Sequence, residues 1–242
     1  MRHLIFALQF LTRLPAPALK STAPDMLSKS KIWFPFVGLI IGGALVLTLT
    51  LGGKIDPWFG ALSTLLCWVW ITGAMHLDGL ADLTDAIGAA HRDPARLLAI
   101  MRDPHVGSFG VLAICLQLIA KLILLMLLAR EIPSSLWGIA LIPAWARYGA
   151  LVWSQTLPPL APGLGEQFSQ KSSGLAPWGL GLLCASWLFA PALMLAPLAL
   201  SLWWLFLRNR LQGMNGDCLG AGIEIVETLL LAAIIVFHKL YI

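Results

Sequence analysis

The chain has 242 residues, of which 59% are hydrophobic and 12% charged, about half the ~25% of charged residues found in a typical soluble domain. This composition excludes a soluble globular domain and predicts an all-α, polytopic bundle of membrane helices in a single domain, residues 1–242. The net charge of +4 is informative mainly through its distribution. We expect the lipid bilayer as a partner, and no nucleic acid.

The N-terminal residues 3–14 predict an amphipathic interfacial helix that ends at Pro15 and Pro17. It is too short to cross a bilayer core of about 30 Å. We expect this segment to be retained, because it lacks the small-residue cleavage site of a signal peptide. The cysteines are widely separated and form neither a zinc pattern nor a disulfide framework: Cys67, Cys115, Cys184 and Cys218.

Apolar runs predict about seven membrane spans. The first four are residues 32–51, 58–77, about 107–129 and about 135–153, and the last is about 222–238. Residues 176–207 are long for one helix and short for two. In the polar segment 78–105, Asp93 and Pro94 predict a helix start, with the helix ending before Pro104.

The positions of the basic residues decide how often 176–207 crosses. With two crossings and a cytoplasmic N-terminus, one face holds Arg2, Arg13, Lys20, Lys29, Lys31, Arg92, Arg96, Arg102, Lys171, Arg208 and Arg210. The other face holds only Lys54, Arg130 and Lys239. This asymmetry favours seven spans, with residues 78–105 and 208–221 both on the cytoplasmic side of a bacterial inner membrane.

Three carboxylates follow the second apolar run. Asp78, Asp82 and Asp85 are spaced i, i+4, i+7 and fall within about 60° on one helix face. Like charges at this spacing repel one another unless a cation neutralises them. Oxygen ligands favour Mg²⁺ or Mn²⁺ over zinc, so we expect a metal site rather than a solvated helix end.

Further candidates surround this stripe in the sequence. Asp103 and Asp217 are additional candidate metal ligands, and carboxylates beside arginines are typical of phosphoryl transfer. The candidates for substrate binding are Arg92, Arg96, Arg102, Arg147, Asn215 and Glu224. Gly107 and Gly110 indicate a close backbone approach to an anion, such as phosphate at a helix start.

Several polar residues in this region also have structural interpretations. Glu227 is equally well explained as a carboxylate paired within the helix bundle, and Lys121 as a side chain that snorkels outward. His76 points to a different helix face from the aspartates, which favours a supporting role. His105 lies in a loop, where a histidine is more often a bystander.

Two motifs carry a resemblance to a known family. His76-Leu77-Asp78-Gly79-Leu80-Ala81-Asp82-x-x-Asp85 and Ile100-Met101-Arg102-Asp103-x-x-x-Gly107-x-x-Gly110 resemble the cobalamin synthases, which are adenosylcobinamide-GDP ribazoletransferases. Residues 8–15 and 216–221 are also similar to that family. Ala86, Pro104 and Asn215 depart from its pattern, and no departure removes a carboxylate.

The resemblance implies a Mg²⁺-dependent integral membrane enzyme of late coenzyme B12 assembly. It would join adenosylcobinamide-GDP to α-ribazole, or to its 5′-phosphate, and release GMP. Within this pattern we expect Asp82, the middle aspartate, to lie closest to the chemistry. A homo-oligomer is left open.

Two other classes remain as alternatives. A CDP-alcohol phosphotransferase also places aspartates on a membrane helix, but its Asp-x-x-Asp-Gly-x-x-Ala-Arg pattern is absent. An ion-coupled transporter would line a pathway at the membrane midplane with carboxylates, whereas these acids cluster at one membrane face.

Overall fold

The computed structural model describes residues 1–19, 25–90, 93–131, 137–161, 164–170 and 174–241, and these contain no β-strand. The helices in chain order are α1 (Arg2–Leu11), α2 (Met26–Ser30), α3 (Phe34–Gly53), α4 (Pro57–Thr72), α5 (Met75–Ala89), α6 (Pro94–Ile100), α7 (Ser108–Glu131), α8 (Trp137–Thr156), α9 (Leu164–Ser169), α10 (Leu175–Phe189), α11 (Ala196–Arg210) and α12 (Gly216–Tyr241). Short 3₁₀ turns at Lys31–Trp33 and Pro191–Leu195 lead into α3 and α11.

Long apolar helices confirm a multi-pass membrane protein. Four segments of the described chain are long and apolar enough to cross a bilayer: Met26–Gly53, α7, Pro191–Arg210 and α12. The bent pair of α4 and α5 makes a fifth if it counts as one span. By length and composition the described helices thus give four or five spans, since α10 has only 15 residues and α8 does not qualify by itself. The count of about seven spans stays a prediction.

Helix α8 lies inside the bundle, where it packs against α3, α10 and α12. Gly38 and Gly42 of α3 face it so closely that a Cβ atom on Gly38 would lie 2.5 Å from the Cα atom of Ala144. Small residues at this spacing let two membrane helices approach backbone to backbone. A helix shielded by its neighbours needs less apolar surface than one that faces lipid, which explains why α8 is less hydrophobic.

The second predicted span is wrong at its end. Helix α4 stops at Thr72, where Gly73 adopts a left-handed conformation with φ +64°, which glycine adopts without the steric cost of a side chain. The chain then turns by 84° into α5. The acidic stripe therefore lies on a separate helix and does not continue the apolar one.

Other boundaries shift by smaller amounts. The N-terminal helix α1 ends at Leu11, earlier than the prolines that were expected to stop it. Residues 176–207 form two helices, as the charge distribution predicted, with the break at Ala190. The Asp93 carboxylate caps α6 by accepting the N–H groups of Ala95 and Arg96, as predicted.

Candidate active site

The three aspartates of α5 differ in their surroundings. Asp78 is exposed, Asp82 is half-buried, and Asp85 is buried with 8% of its surface exposed. This gradient follows from packing, because the start of α7 lies against Asp85 and Gly88 while α12 contacts α5 at Gly79. The helix thus presents Asp78 and Asp82 outward and keeps Asp85 inside.

Asp85 anchors the start of α7. Its two carboxylate oxygens accept hydrogen bonds from the backbone N–H groups of Gly107, at 2.7 Å, and Gly110, at 2.9 Å. A Cβ atom on Gly107 would lie 2.5 Å from Oδ1 of Asp85, so a larger residue would displace the carboxylate. The two glycines do admit an anion at a helix start, as predicted, but that anion is Asp85 itself.

Asp217 is brought to the acidic stripe by the packing of α12 against α5. A Cβ atom on Gly79 would lie 2.9 Å from the carbonyl oxygen of Asp217 and 3.0 Å from its Cα atom. Gly79 lies between Asp78 and Asp82 in the sequence. The two segments, far apart in the chain, therefore meet at one place.

The start of α12 also differs from the prediction. The helix begins at Gly216, before the predicted span of about 222–238, and Asp217 lies in its first turn. The cap is Asn215, whose side-chain oxygen accepts the backbone N–H of Cys218 at 2.9 Å. The Asn215 amide group donates to the Asp217 carboxylate at 2.9 Å, so Asn215 orients this acid.

These carboxylates make a strongly negative site. The charge of Asp82 is opposed by those of Asp78, Asp217 and Asp85. Within the described part of the chain, none of these four aspartates forms an ion pair with a basic side chain. A divalent cation would relieve this repulsion, and the donor set is oxygen only, which suits Mg²⁺.

A fully protein-built metal cage is not present in the described residues, where no three His, Cys, Asp or Glu side chains are placed to hold one ion together. Mg²⁺ sites commonly use only one or two carboxylates and complete the shell with water and substrate phosphates. One or two of Asp78, Asp82 and Asp217 are candidates for such a site. Both oxygens of Asp85 are already used by backbone N–H groups.

The polar segment after α5 contributes exposed side chains. Arg96 and Arg102 are exposed, whereas Arg92 lies outside the described residues. Asp103 accepts the backbone N–H of His105 at 3.0 Å and contacts its ring Nδ1 at 2.7 Å. These two hydrogen bonds, the backbone one first, lower the pKa of the Asp103 carboxyl from its ordinary 3.8. The Asp103 carboxylate therefore stabilises the turn from Asp103 to His105.

Arg147 and Glu224 lie inside the helix bundle instead. Glu227 accepts hydrogen bonds from Arg147 on α8 and from Lys121 on α7, the latter at 2.7 Å. Lys121 also donates to Glu224 at 2.7 Å. All four side chains are at least 95% buried, so the chain holds two cations and two anions in a neutral internal network. Lys121 points inward, and the structural interpretation of Glu227 fits this arrangement.

His76 connects the acidic helix with this network. It is 3% exposed, it lies near the charges of Arg147 and Lys121, and its Nε2 atom has no hydrogen-bond partner in the described structure. Its Cα atom would lie 3.4 Å from a Cβ atom on Gly220 of α12. His76 is thus buried at the start of α5, and its supporting role stays a prediction.

Sequence reasoning missed an open cavity of about 700 Å³ at the ends of α8 and α11. Its polar lining includes Arg208, which stacks on Trp204 with 5.0 Å between the guanidinium carbon and the ring centroid. A Trp and an Arg spaced i, i+4 at a helix end are neighbours on one face. This spacing was visible in the sequence, but Arg208 had served only to assign its end of the helix to one side of the membrane.

Comparison with known proteins gives consistent matches over the whole chain. A family model described as cobalamin-5-phosphate synthase matches residues 3–235. The adenosylcobinamide-GDP ribazoletransferase of Thiobacillus denitrificans is 50% identical over 240 residues, 97% of this chain and 96% of that protein. The protein of the same name from Laribacter hongkongensis is 51% identical over 248 residues, 99% of each. No solved structure is a significant match.

Proposed function

This chain belongs to the cobalamin-5-phosphate synthase family, and we infer that it acts in cobalamin biosynthesis as an adenosylcobinamide-GDP ribazoletransferase. The observation that carries this inference is the match of 50% identity over 97% of the chain to a protein of that name. The match covers nearly all of both proteins, so the inference does not depend on a single shared domain.

We place the reaction at the acidic face of α5 and the first turn of α12. A ribose hydroxyl of α-ribazole, or of its 5′-phosphate, attacks the phosphorus that bears the cobinamide. The new phosphorus–oxygen bond forms as the bond to GMP breaks, and GMP leaves. Asp82 is half-buried and near the charges of Asp78 and Asp217, and we propose that it orients the hydroxyl and accepts its proton.

We propose Mg²⁺ as the cofactor, held by Asp217 together with Asp78 or Asp82, with water and substrate phosphates as the remaining ligands. When bound, it would offset the negative charge of the pyrophosphate that the donor brings to a site made of carboxylates. Asp85 supports this site from behind, since it fixes the start of α7 against α5. Exposed Arg96 and Arg102 are candidates for contacts with the leaving phosphates.

We propose that this face is cytoplasmic and that the membrane is the bacterial inner membrane. The support is the concentration of basic residues on one side in the predicted topology. A single cysteine in place of Arg96 should react with a membrane-impermeant thiol reagent only after cells are opened. Labelling in intact cells would contradict the orientation without affecting the activity.

The activity is tested with purified protein in lipid nanodiscs. We expect GMP to be released from adenosylcobinamide-GDP only when α-ribazole and Mg²⁺ are both present. Asp82→Asn should lower the rate at least about 100-fold, the lower end of what a positioned acid–base group contributes. Asp25→Asn is the matched control, because Asp25 pairs with Lys29 away from the acidic stripe. GMP release without α-ribazole, or a nearly normal rate for Asp82→Asn, would contradict the proposal.

A further inference from the structure

An open cavity lies between the ends of α8 and α11. It opens at the C-terminal ends of both helices and is lined by Thr156 and Pro158 on one side and by Trp204, Arg208, Asn209 and Gln212 on the other. Its volume of about 700 Å³ is within the range of small-molecule sites, roughly 300–1,000 Å³. It is large enough for a nucleotide.

A short held loop links the cavity to Asp217 along the chain. Met214 donates its N–H to the carbonyl of Pro158 at 2.9 Å and accepts the N–H of Leu160 at 2.9 Å. This pairing fixes the loop from Gln212, which lines the cavity, to Asn215, which contacts Asp217. Gln212 of the cavity and Asp217 of the acidic site are only five residues apart in the chain, so the two lie within about 18 Å of each other along the backbone.

Two polar side chains of the cavity, Trp204 and Arg208, are held in place, and Arg208 has no acidic partner among the described residues. The Trp204 indole is fixed because its Nε1 donates to the Thr156 hydroxyl at 3.1 Å. Arg208 lies over the indole face and makes no ion pair with the acidic residues of the described chain. A stacked guanidinium with its charge available is suited to a planar ring and to a phosphate.

We propose that this cavity binds the guanine nucleotide half of the donor, the part that leaves as GMP. This assignment rests on the function proposed above and identifies where one of its substrates lies. Asn209 and Gln212 provide amide donors and acceptors that match the edge of guanine. The acceptor base of α-ribazole is a benzimidazole with methyl groups at that edge, which would leave both amides unused.

Binding of GMP alone tests the site without turnover. GMP is titrated into the protein in nanodiscs by calorimetry, and CMP serves as the comparison. Arg208→Gln should weaken GMP binding at least about tenfold, the loss expected for one charge-assisted contact. Trp204→Phe, which keeps a ring, should weaken it less. Arg210→Gln is the control, since Arg210 is exposed on the same helix end and does not line the cavity.

Steady-state kinetics separates the two substrates. For Arg208→Gln we expect the KM for adenosylcobinamide-GDP to rise by a similar factor while the KM for α-ribazole stays unchanged. A rise only in the KM for α-ribazole would assign the cavity to the acceptor and overturn the proposal. Unchanged GMP binding in Arg208→Gln would also overturn it. An inactive wild-type protein would contradict the proposed function, while the GMP titration would still decide the cavity.

Discussion

Gly79 and Asp217 lie backbone against backbone, so that a Cβ atom on Gly79 would be 2.9 Å from the carbonyl oxygen of Asp217. This contact joins the acidic helix α5 to the first turn of α12. Helices α5 and α12 cannot approach more closely at Gly79. This contact therefore fixes the distance between the carboxylates on the two helices. Gly79 therefore positions the site although it has no side chain.

The first prediction concerns this contact. Gly79→Ala should push α12 away from α5 and lower the rate of GMP formation about 100-fold, as expected for a displacement near 1 Å in a reacting site. Gly43→Ala is the matched control, because a Cβ atom at this helical glycine meets nothing within 4 Å. Equal rates for the two variants would mean that the α5–α12 spacing does not matter.

The second prediction separates Asp85 from Asp82. Asp85→Asn keeps one acceptor oxygen but places an amide donor against the N–H group of either Gly107 or Gly110, and a buried group without a partner costs about 1–3 kcal/mol. We expect a lower Tm for Asp85→Asn and an unchanged Tm for Asp82→Asn, measured by thermal unfolding in detergent. If Asp85→Asn kept its Tm and lost only activity, Asp85 would act in the chemistry and not as an anchor.

The third prediction concerns Mg²⁺ and Asp217. Asp217→Asn removes a ligand charge, so the Mg²⁺ concentration for half-maximal rate should rise about tenfold, which corresponds to about 1.4 kcal/mol. The Tm should change little, because the helix cap is Asn215. Asn215→Ser retains a capping oxygen and loses the hydrogen bond to Asp217. It should have a smaller effect on Mg²⁺. An unchanged Mg²⁺ requirement in Asp217→Asn would exclude Asp217 as a ligand.

The fourth prediction concerns the buried network. Glu227→Gln leaves two buried cations with one anion, and breaking a buried ion pair in this way typically costs 3–5 kcal/mol. The double variant Arg147→Met with Glu227→Gln restores neutrality and should be less destabilised than the sum of the single changes. Its KM values should stay within about threefold of the wild type. A selective rise in one KM would instead support the predicted substrate contact of Arg147.

The fifth prediction concerns pH. The pKa of Asp103 is lowered from its ordinary 3.8 by hydrogen bonds from His105, so the ionised form is favoured in the folded turn. The turn is therefore retained above that ordinary value and lost as the pH falls through the lowered pKa. A ¹³C NMR titration of the Asp103 carboxyl should have its midpoint below 3.8. His105→Ala keeps the backbone donor and should raise the midpoint only partly. A midpoint at or above 3.8 would show that the hydrogen bonds from His105 do not stabilise the ionised carboxyl.

The sequence alone determined the class of the protein and its principal acidic site. An apolar composition with few charges leaves only a membrane bundle, because charged side chains are costly in lipid. The i, i+4, i+7 spacing placed Asp78, Asp82 and Asp85 on one helix face, since helix periodicity is a local property. The family motifs lie in the same local stretches, which is why they could be recognised before any packing was known.

Only the tertiary structure decided what each acidic and basic group contacts. Asp85 turned out to anchor α7, Asp217 to meet α5 at Gly79, and Arg147 to pair with Glu227 inside the bundle. These relationships depend on the 84° turn after Thr72 and on the packing of α12. Contacts between distant segments are set by the close fit of whole helices, and no single stretch of sequence carries that information.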